Sequence, residues 1–281
     1  MTFLEQIIIA VVQGITEFLP ISSAGHLILV PYITGSADQG PLIDVAVHVG
    51  SLLAIVVYFF KDVVTLARGG FASIGIGKAP AERRLFWWIV LGTIPAVLFG
   101  LAIKLGAFNS IAETWFGITV TDEDLMASLR FTDLIAVNLI LYGILLGIAD
   151  YLGKETKRFE DMTARDGIIV GLAQALAIIP GTSRSGVTMT AARALGYERV
   201  EAARFSFLLS IPAVAGAGVL IVPEIVEAGS QLAWDALVTG ALTFLAAFAT
   251  MAFLMRFLKQ ASMLVFVLYR VALGVLLLTA F

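Results

Sequence analysis

Two short stretches of this apolar chain carry side chains that could do chemistry. The first reads QGITEFLPISSAGHL from Gln13 onward and holds a carboxylate at Glu17, hydroxyls at Ser22 and Ser23, and an imidazole at His26. Gln13 and Glu17 are four residues apart, so a helix places both on one face. A carboxylate, an imidazole and a hydroxyl in one water-poor cleft are typical of a general base with its nucleophile. Glu17 could orient His26 or bind a divalent cation, and Gln13 could complete an oxygen-ligand set for Mg²⁺ or Ca²⁺.

The second stretch reads PGTSRSGVT from Pro180 onward and suits a phosphate-like anion. Arg184 supplies a permanent cation whose planar donor fork matches a phosphate bidentately. In both stretches a proline precedes a short helix, predicted to begin at about Ser22 and Thr182, and helix N-termini attract anions. The predicted substrate-binding residues beside Arg184 are Ser22, Gly181, Thr182, Ser183, Ser185 and Thr188.

The composition is that of a membrane protein. Of the 281 residues, 59% are hydrophobic and 14% are charged, and the mean hydropathy is +0.97. Soluble globular chains have roughly 45–50% apolar and about 25% charged residues. The sequence therefore predicts an all-α polytopic integral membrane protein. Because cysteine is absent, disulfides, thiolate metal sites and cysteine nucleophiles are excluded.

Six apolar segments approach the roughly 20 residues that cross a bilayer as a helix, and two more are interrupted. The predicted spans are 43–60, 85–105, 131–152, 204–222, 236–256 and 262–280. The interrupted stretches, about 5–33 and 166–192, contain the first break (Pro20–Ser23) and the second break (Pro180–Ser183). Non-helical backbone at membrane depth persists only inside protein or beside a wet cavity. Each interrupted stretch is therefore predicted to be a re-entrant helical hairpin.

The distribution of charge orients these segments. Of the 18 basic residues, 14 lie in or beside four connections, whereas two other connections are acidic. The basic connections are 61–84, 153–165, 193–204 and 256–259, and the acidic ones are 106–130 and 223–235. Because short cytoplasmic loops are enriched in Lys and Arg, the basic connections are assigned to the cytoplasm and both termini to the outside.

This orientation divides the chain into two similar halves. Each half, about 1–152 and 153–281, is predicted to be a hairpin followed by three spans, and the halves have opposite orientation. The motif Pro-x-Ser-Ser of the first break recurs as Pro-x-Thr-Ser 160 residues later. The sequence therefore predicts one membrane domain over residues 1–281 with an inverted-topology repeat: six transmembrane helices plus two re-entrant hairpins.

Two further ionisable side chains lie within predicted spans, where they are costly and are functional hypotheses by default. His48 is near the outer end of its span and is interpreted as a polar packing residue. Arg270 lies in the last span and is expected to have a stabilising partner, either Glu17 or a lipid phosphate. Whether Arg270 has a function of its own is left open.

The two polar stretches resemble the signature motifs of the undecaprenyl-pyrophosphate phosphatase family, also called the bacitracin-resistance proteins. The first signature is Glu or Gln, three residues, Glu, and then Phe-Leu-Pro-x-Ser-Ser-x-Gly-His. The second is Pro-Gly-x-Ser-Arg-Ser-x-x-Thr. Both match fully, with Gln13 at the first position, and the likeness extends through FSFLLSIPA at 205–213 and YR at 269–270. His48 departs from the Gln that many members have.

The resemblance implies hydrolysis of a C55 isoprenyl pyrophosphate to the monophosphate and inorganic phosphate, with the help of a divalent cation. Such enzymes recycle the lipid carrier for cell-wall polymers on the periplasmic side of the bacterial inner membrane. The implied catalytic residues are Glu17, Ser23, His26 and Arg184. The nucleophile is left open between Ser23 activated by His26, His26 itself and a water molecule. No nucleic acid is expected as a partner, and a homodimer is left open.

Two other functions fit the same predicted plan. Transporters also use inverted repeats and half-helix N-termini at the midplane, so a transporter for phosphate or an organic anion is the main alternative. A flippase for the carrier lipid is the third hypothesis. A binding site needs Arg184 but not an acid–base set, so Glu17 and His26 favour hydrolysis.

Overall fold

The computed structural model describes residues 1–35, 39–77, 79–109, 113–114, 131–227 and 230–280. These residues form α-helices, one short 3-10 helix and no β-strand. The helices are α1 (Phe3–Thr16), α2 (Ser23–Thr34), α3 (Gly40–Tyr58), α4 (Phe60–Ser73), α5 (Pro80–Lys104), α6 (Thr132–Leu152), α7 (Ala164–Leu176), α8 (Arg184–Ala194), α9 (Arg199–Glu227), α10 (Ser230–Phe257) and α11 (Leu264–Ala280). The prediction of an all-helical chain is confirmed for this part of the protein.

Four helices in the described ranges are long and apolar enough to cross a bilayer, namely α3, α5, α6 and α10. They overlap four predicted spans, with ends that differ by up to six residues, so the chain is a multi-pass membrane protein. The other two predicted spans, 204–222 and 262–280, fall on α9 and α11. Both interrupted stretches contain two helices separated by non-helical backbone. Residues 110–112, 115–130 and 228–229 of the acidic connections, and Lys78, lie outside the described residues.

One helix, α4, was not predicted, because residues 61–84 read as a connection. The helix begins directly after α3 ends at Tyr58. Asp62 in its first turn accepts hydrogen bonds from Nε and NH2 of Arg204 in α9, which fixes this end of α4. A bidentate pair of this kind joins residues 142 positions apart, and no local pattern announces it.

The described chain divides into two compact units. Unit 1 contains residues 1–19, 23–89 and 203–261, and unit 2 contains residues 20–22, 90–202 and 262–281. Residues 20–22 of the first break thus belong to the unit that holds the second break. The prediction of a single domain with two sequence halves stays a prediction.

In unit 1, α10 packs against both α1 and α3. Glycines allow close approach, because a Cβ on Gly50 would overlap the carbonyl oxygen of Gly240. Small residues at contacts are the usual basis of helix association in membranes, where burial against lipid supplies no driving force. Buried aliphatic side chains, including Ile9, Ile43 and Val47, join these helices into a core. This packing holds the end of α1 that leads into the first break.

In unit 2, a buried carboxylate ties together the ends of four helices. Asp150, near the end of α6, accepts hydrogen bonds from Nε of Arg193 at 2.9 Å and Nε of Arg199 at 2.8 Å. Its second oxygen accepts from the backbone N–H of Met263 at 3.0 Å. Since two cations share one carboxylate, the buried Arg193 is compensated, which a lone buried charge would not be. The cluster fixes α8, whose opposite end follows the second break.

Candidate active site

In each break, the residue just before the short helix is a serine with left-handed backbone. Ser22 has φ +74° and Ser183 has φ +70°. This conformation costs an L-residue roughly 1–2 kcal/mol, and such strain is concentrated at functional sites. A residue with positive φ cannot continue a right-handed helix. The short helices therefore begin at Ser23 and Arg184, one and two residues later than predicted.

At the first break, unit 1 assembles a carboxylate cluster of Gln13, Glu17 and Ser23. Glu17 follows the last residue of α1, is 7% exposed, and accepts a hydrogen bond through Oε2 from the Ser23 hydroxyl at 2.7 Å. The same oxygen accepts from Gln13 Nε2 at 3.1 Å. A serine hydroxyl that donates to a carboxylate is arranged to lose its proton to that carboxylate. In this structure the Ser23 hydroxyl thus directs its proton at Glu17.

Of the two histidines of the chain, one lies closer to the carboxylate cluster than the sequence suggested. His26 is half-buried in the first turn of α2, three residues after Ser23, and its role stays a prediction. His48, interpreted from sequence as a packing residue, has Nε2 3.8 Å from Glu17 Oε2 and Nδ1 2.6 Å from the carbonyl oxygen of Asp44. Because a carbonyl only accepts, Nδ1 carries the proton and Nε2 is directed to the carboxylate cluster. Asp44 is four residues before His48, so helix α3 sets this ring orientation.

At the second break, unit 2 assembles an arginine cluster of Ser183, Arg184 and Ser185. Ser183 caps α8, because its Oγ accepts from the Gly186 N–H at 3.1 Å. The Ser183 and Ser185 hydroxyls are 3.3 Å apart. Arg184 is the first residue of α8 and is half-buried, so a guanidinium, two hydroxyls and a helix N-terminus share one locus.

The remaining predicted substrate-binding residues are fully or almost fully buried. Thr188 uses its hydroxyl proton within α8, where it donates to the carbonyl oxygen of Arg184 at 2.7 Å. Thr182 is fully buried, and its Oγ1 has no hydrogen-bond partner among the described residues. Ser22 is 2% exposed in the first break. Binding of substrate by these residues stays a prediction.

Arg270 links the backbone of the two breaks. Its guanidinium donates to the carbonyl oxygens of Pro20 at 3.1 Å, Gly181 at 3.1 Å and Thr182 at 3.0 Å, all within unit 2. It also donates to the carbonyl oxygens of Leu139 and Asn138 in α6. The side chain is fully buried, so the expectation that it could pair with a lipid phosphate is wrong. Backbone carbonyl groups stabilise this cation, and its hydrogen bonds in turn fix the backbone of the two breaks.

Glycines leave room for this arrangement at two points. Gly181 has φ +85°, and a Cβ there would lie 2.6 Å from the carbonyl oxygen of Ile135. A Cβ on Gly186 would lie 2.7 Å from NH1 of Arg270, whose position is fixed by its hydrogen bonds. Both positions therefore require glycine, one for its backbone conformation and both for space.

The donor set of the carboxylate cluster fits a hard divalent cation in part. Glu17 offers carboxylate oxygens, and Gln13 Oε1 is buried without a hydrogen-bond partner among the described residues. Magnesium and calcium prefer such oxygen ligands. In the described ranges no group of three His, Cys, Asp or Glu residues is arranged to hold a metal ion. Phosphate oxygens of a substrate would have to complete the coordination.

The sequence of the chain matches the model of a known protein family. The family model for "Bacitracin resistance protein BacA" matches residues 6–276, which include both breaks and Arg270. The chain belongs to this family. The resemblance of its two motifs to the bacitracin-resistance proteins is thus confirmed.

Relatives within the BacA family are similar over their whole length. The chain is 81% identical over 285 aligned residues to the undecaprenyl-diphosphatase of Erythrobacter litoralis, with 100% of both chains covered. It is 45% identical to the undecaprenyl-diphosphatase of Chromohalobacter salexigens, over 99% of this chain and 98% of that one. It is 42% identical to undecaprenyl-diphosphatase 1 of Pseudoalteromonas translucida, over 98% and 97%.

Proposed function

We propose that this protein is an undecaprenyl-diphosphatase, which hydrolyses undecaprenyl pyrophosphate to undecaprenyl phosphate and inorganic phosphate. The reaction recycles the lipid carrier for cell-wall polymers such as peptidoglycan and confers resistance to bacitracin. The observation that carries the proposal is the 2.7 Å hydrogen bond from the Ser23 hydroxyl to Glu17, in a chain 81% identical to a protein of that name. A binding protein or carrier has no need for a hydroxyl held on a carboxylate.

The geometry favours Ser23 as the nucleophile. Its Oγ attacks the terminal phosphorus, the bond to the bridging oxygen breaks, and undecaprenyl phosphate leaves while the hydroxyl proton passes to Glu17. Water then cleaves the phosphoserine and releases inorganic phosphate, with the proton on Glu17 available to the leaving serine oxygen. There are two alternatives: His26 itself attacks the terminal phosphorus, or a water molecule activated by His26 attacks it. In the proposed route His26 acts on the second step by activating that water.

The arginine cluster is proposed to hold the pyrophosphate during both steps. Arg184 grips two phosphate oxygens, while Ser183, Ser185 and the N-terminus of α8 donate to others. Phosphoryl transfer depends mainly on such positioning and charge stabilisation. Arg270 supports this role, because it holds the backbone of the second break through the carbonyl oxygens of Gly181 and Thr182.

A divalent cation, Mg²⁺ or Ca²⁺, is proposed to be held by Glu17 and Gln13 together with phosphate oxygens. When bound, it would neutralise phosphate charge as that charge shifts to the leaving group. The buried Gln13–Glu17 pair would supply the protein oxygens for it, and Gln13 Oε1, unpartnered among the described residues, supports this role.

The finer topology is proposed as six transmembrane helices plus two re-entrant hairpins in an inverted repeat, in the bacterial inner membrane. Both termini and the active site are assigned to the periplasmic side. Local features support the repeat: capping boxes start α1 at Thr2 and α7 at Thr163, and left-handed serines stand at 22 and 183. The two members of each pair are 161 residues apart. Pro20 and Pro180 are 160 residues apart. The segment from the capping threonine to the proline is therefore one residue shorter in the second half than in the first.

One assay tests the proposed function. Purified protein in detergent is given a polyprenyl pyrophosphate, and free phosphate is measured with Mg²⁺ or Ca²⁺ and after chelation. We expect release that needs the cation and is lost in Arg184→Ala and His26→Ala. If no phosphate appears under any condition while vesicles containing the protein take up phosphate, transport is the function instead.

The nucleophile is tested by a pair of adjacent serines. Ser23→Ala removes the hydroxyl on Glu17 and is expected to abolish most of the phosphate release, whereas Ser22→Ala keeps it. A phosphorylated intermediate trapped by acid quench should label wild type and be absent from Ser23→Ala. Equal losses in the two variants would reject Ser23 as the attacking group.

A further inference from the structure

A buried glutamine in unit 2 has no hydrogen-bond partner for either end of its amide. Gln174 lies in the last turn of α7, where its carbonyl oxygen accepts from the N–H of Ala177 as the chain turns toward the second break. Its side chain is 3% exposed, and neither Oε1 nor Nε2 has a hydrogen-bond partner among the described residues. Gln6 in α1 is buried to a similar degree, yet it donates to Asp235 at 2.9 Å.

An unpartnered buried amide is unfavourable. Leaving a buried donor or acceptor unsatisfied costs about 1–3 kcal/mol, whereas an apolar side chain of the same shape avoids that cost. Methionine would fill the space of Gln174 in a chain already rich in apolar residues. The amide therefore requires a partner that is not part of the described protein.

The repeat shows what is special about this position. Gln13 lies 161 residues before Gln174, the same separation as the capping boxes and the left-handed serines. In the first half Gln13 Nε2 donates to Glu17. The residue 161 positions after Glu17 is Ile178, which offers no acceptor. The amide of Gln174 therefore has no carboxylate one helical turn away, and its donors have no partner among the described residues.

The surroundings in sequence indicate an anion. The second break contains Thr182, whose fully buried Oγ1 also lacks a partner in the described part, and it leads into Ser183 and Arg184 at the start of α8. Hydroxyl, amide and guanidinium groups all donate, and donors of this kind beside a helix N-terminus match phosphate oxygens. The amide of Gln174 would add a donor to those of the arginine cluster. A diphosphate has enough oxygens to accept hydrogen bonds from both.

We propose that Gln174 is a further substrate-binding residue, whose amide N–H donates to a phosphate oxygen of the polyprenyl pyrophosphate. This inference rests on the proposed function for the identity of the substrate. The proposal gives α7, the first helix of the second hairpin, a direct part in substrate binding, although most of its residues are apolar. Gln174 acts on binding of the pyrophosphate, with Glu17 and Ser23 carrying the bond cleavage.

Gln174→Met separates a binding role from a structural one, and Gln6→Met is the matched control. Gln174→Met is expected to raise KM for the polyprenyl pyrophosphate at least about tenfold, the loss of one hydrogen bond to a charged group. The midpoint of thermal unfolding in detergent should stay equal or rise, because the unpartnered amide is gone. Gln6→Met should lower that midpoint and leave kcat and KM unchanged. A Gln174→Met protein with wild-type KM, or with a lowered midpoint like that of Gln6→Met, overturns the proposal.

Gln174→Glu tells a phosphate donor from a cation ligand. A carboxylate repels phosphate oxygens, so this variant should lose more of kcat/KM than Gln174→Met does. If Gln174 bound the cation through its carbonyl, the carboxylate would preserve or improve activity at saturating Mg²⁺. Activity at or above wild type in Gln174→Glu therefore also overturns the proposal.

Binding is measured separately from hydrolysis with inorganic pyrophosphate as the probe. Wild type and Gln6→Met should be stabilised against thermal unfolding by inorganic pyrophosphate, and Gln174→Met should show a smaller shift. If wild type is stabilised but releases no phosphate from the lipid, the proposed function fails while the role of Gln174 in pyrophosphate binding stands. If all three proteins shift equally, the role of Gln174 fails.

Discussion

The two breaks use one backbone design to carry opposite charges. Both follow a helix that starts with a capping box, both contain a proline, and both enter a short helix through a left-handed serine. The difference lies in two pairs of positions 161 residues apart. Glu17 corresponds to Ile178, and Ser23 corresponds to Arg184. One bend thus ends on a carboxylate with a hydroxyl, and the other ends on a guanidinium.

This difference distinguishes the anion-binding groups that the backbone supplies from the charged and acid–base groups that the side chains supply. A bend followed by a helix N-terminus presents free N–H groups wherever it occurs, so both breaks are suited to an anion. The proposed acid–base chemistry uses the carboxylate of Glu17, and the residue 161 positions later, before the second break, is Ile178. The division predicts that changes at the first break lower turnover and changes at the second lower binding.

The largest effect is expected from Glu17→Gln at the first break. The amide can still accept from Ser23 but cannot take its proton. General-base catalysis contributes about 10²- to 10⁴-fold, so kcat should fall by about that factor with little change in KM. The kinetics of phosphate release measure both constants. A variant within tenfold of the wild-type kcat would show that Glu17 is not the base.

Arg184→Lys at the second break is the counterpart. Lysine keeps the charge but replaces the bidentate fork with a point charge, so kcat/KM should fall about 10- to 100-fold, mostly through KM. Arg256→Lys, at an exposed position in the last turn of α10, is the control and should behave as wild type. A loss confined to kcat would contradict the division of labour between the breaks.

Gly186→Ala tests the space beside Arg270. The added Cβ would lie 2.7 Å from NH1, which hydrogen bonds hold in place, so we expect a loss of about 1–3 kcal/mol in stability and reduced activity. Gly216→Ala in α9 is the control, because nothing lies within 4 Å of its added Cβ. That change should be neutral or stabilising by up to about 1 kcal/mol. Thermal unfolding in detergent distinguishes the two, and equal midpoints would remove the argument for a fixed guanidinium.

The smallest effects are expected from glycine at the two left-handed serines. Ser22→Gly relieves a backbone cost of about 1 kcal/mol and should raise the unfolding midpoint. Ser183→Gly relieves the same cost but loses the cap on the Gly186 N–H, so its gain should be smaller. If Ser183→Gly were the more stabilising of the two, the cap would contribute nothing.

Sequence reasoning located the helices and motifs well because long apolar runs and polar interruptions are local signals. Gln13 and Glu17 were paired by helical spacing, Ser23 was grouped with Glu17 by its chemistry, and the hydrogen bonds among the three agree. It missed the proximity of His48 to Glu17, because the two lie on different helices whose register no pattern reveals. The five carbonyl partners of Arg270 were equally hidden, since carbonyl groups are the same in every residue.

The hydrogen bond from Arg270 to Pro20 joins residues 250 positions apart. During synthesis the first bend leaves the ribosome long before the group that holds it. The carbonyl oxygen of Pro20 therefore gains this hydrogen bond only after the last helix has been made. A nascent chain that lacks α11 therefore holds every proposed catalytic side chain but lacks the guanidinium that joins the two bends.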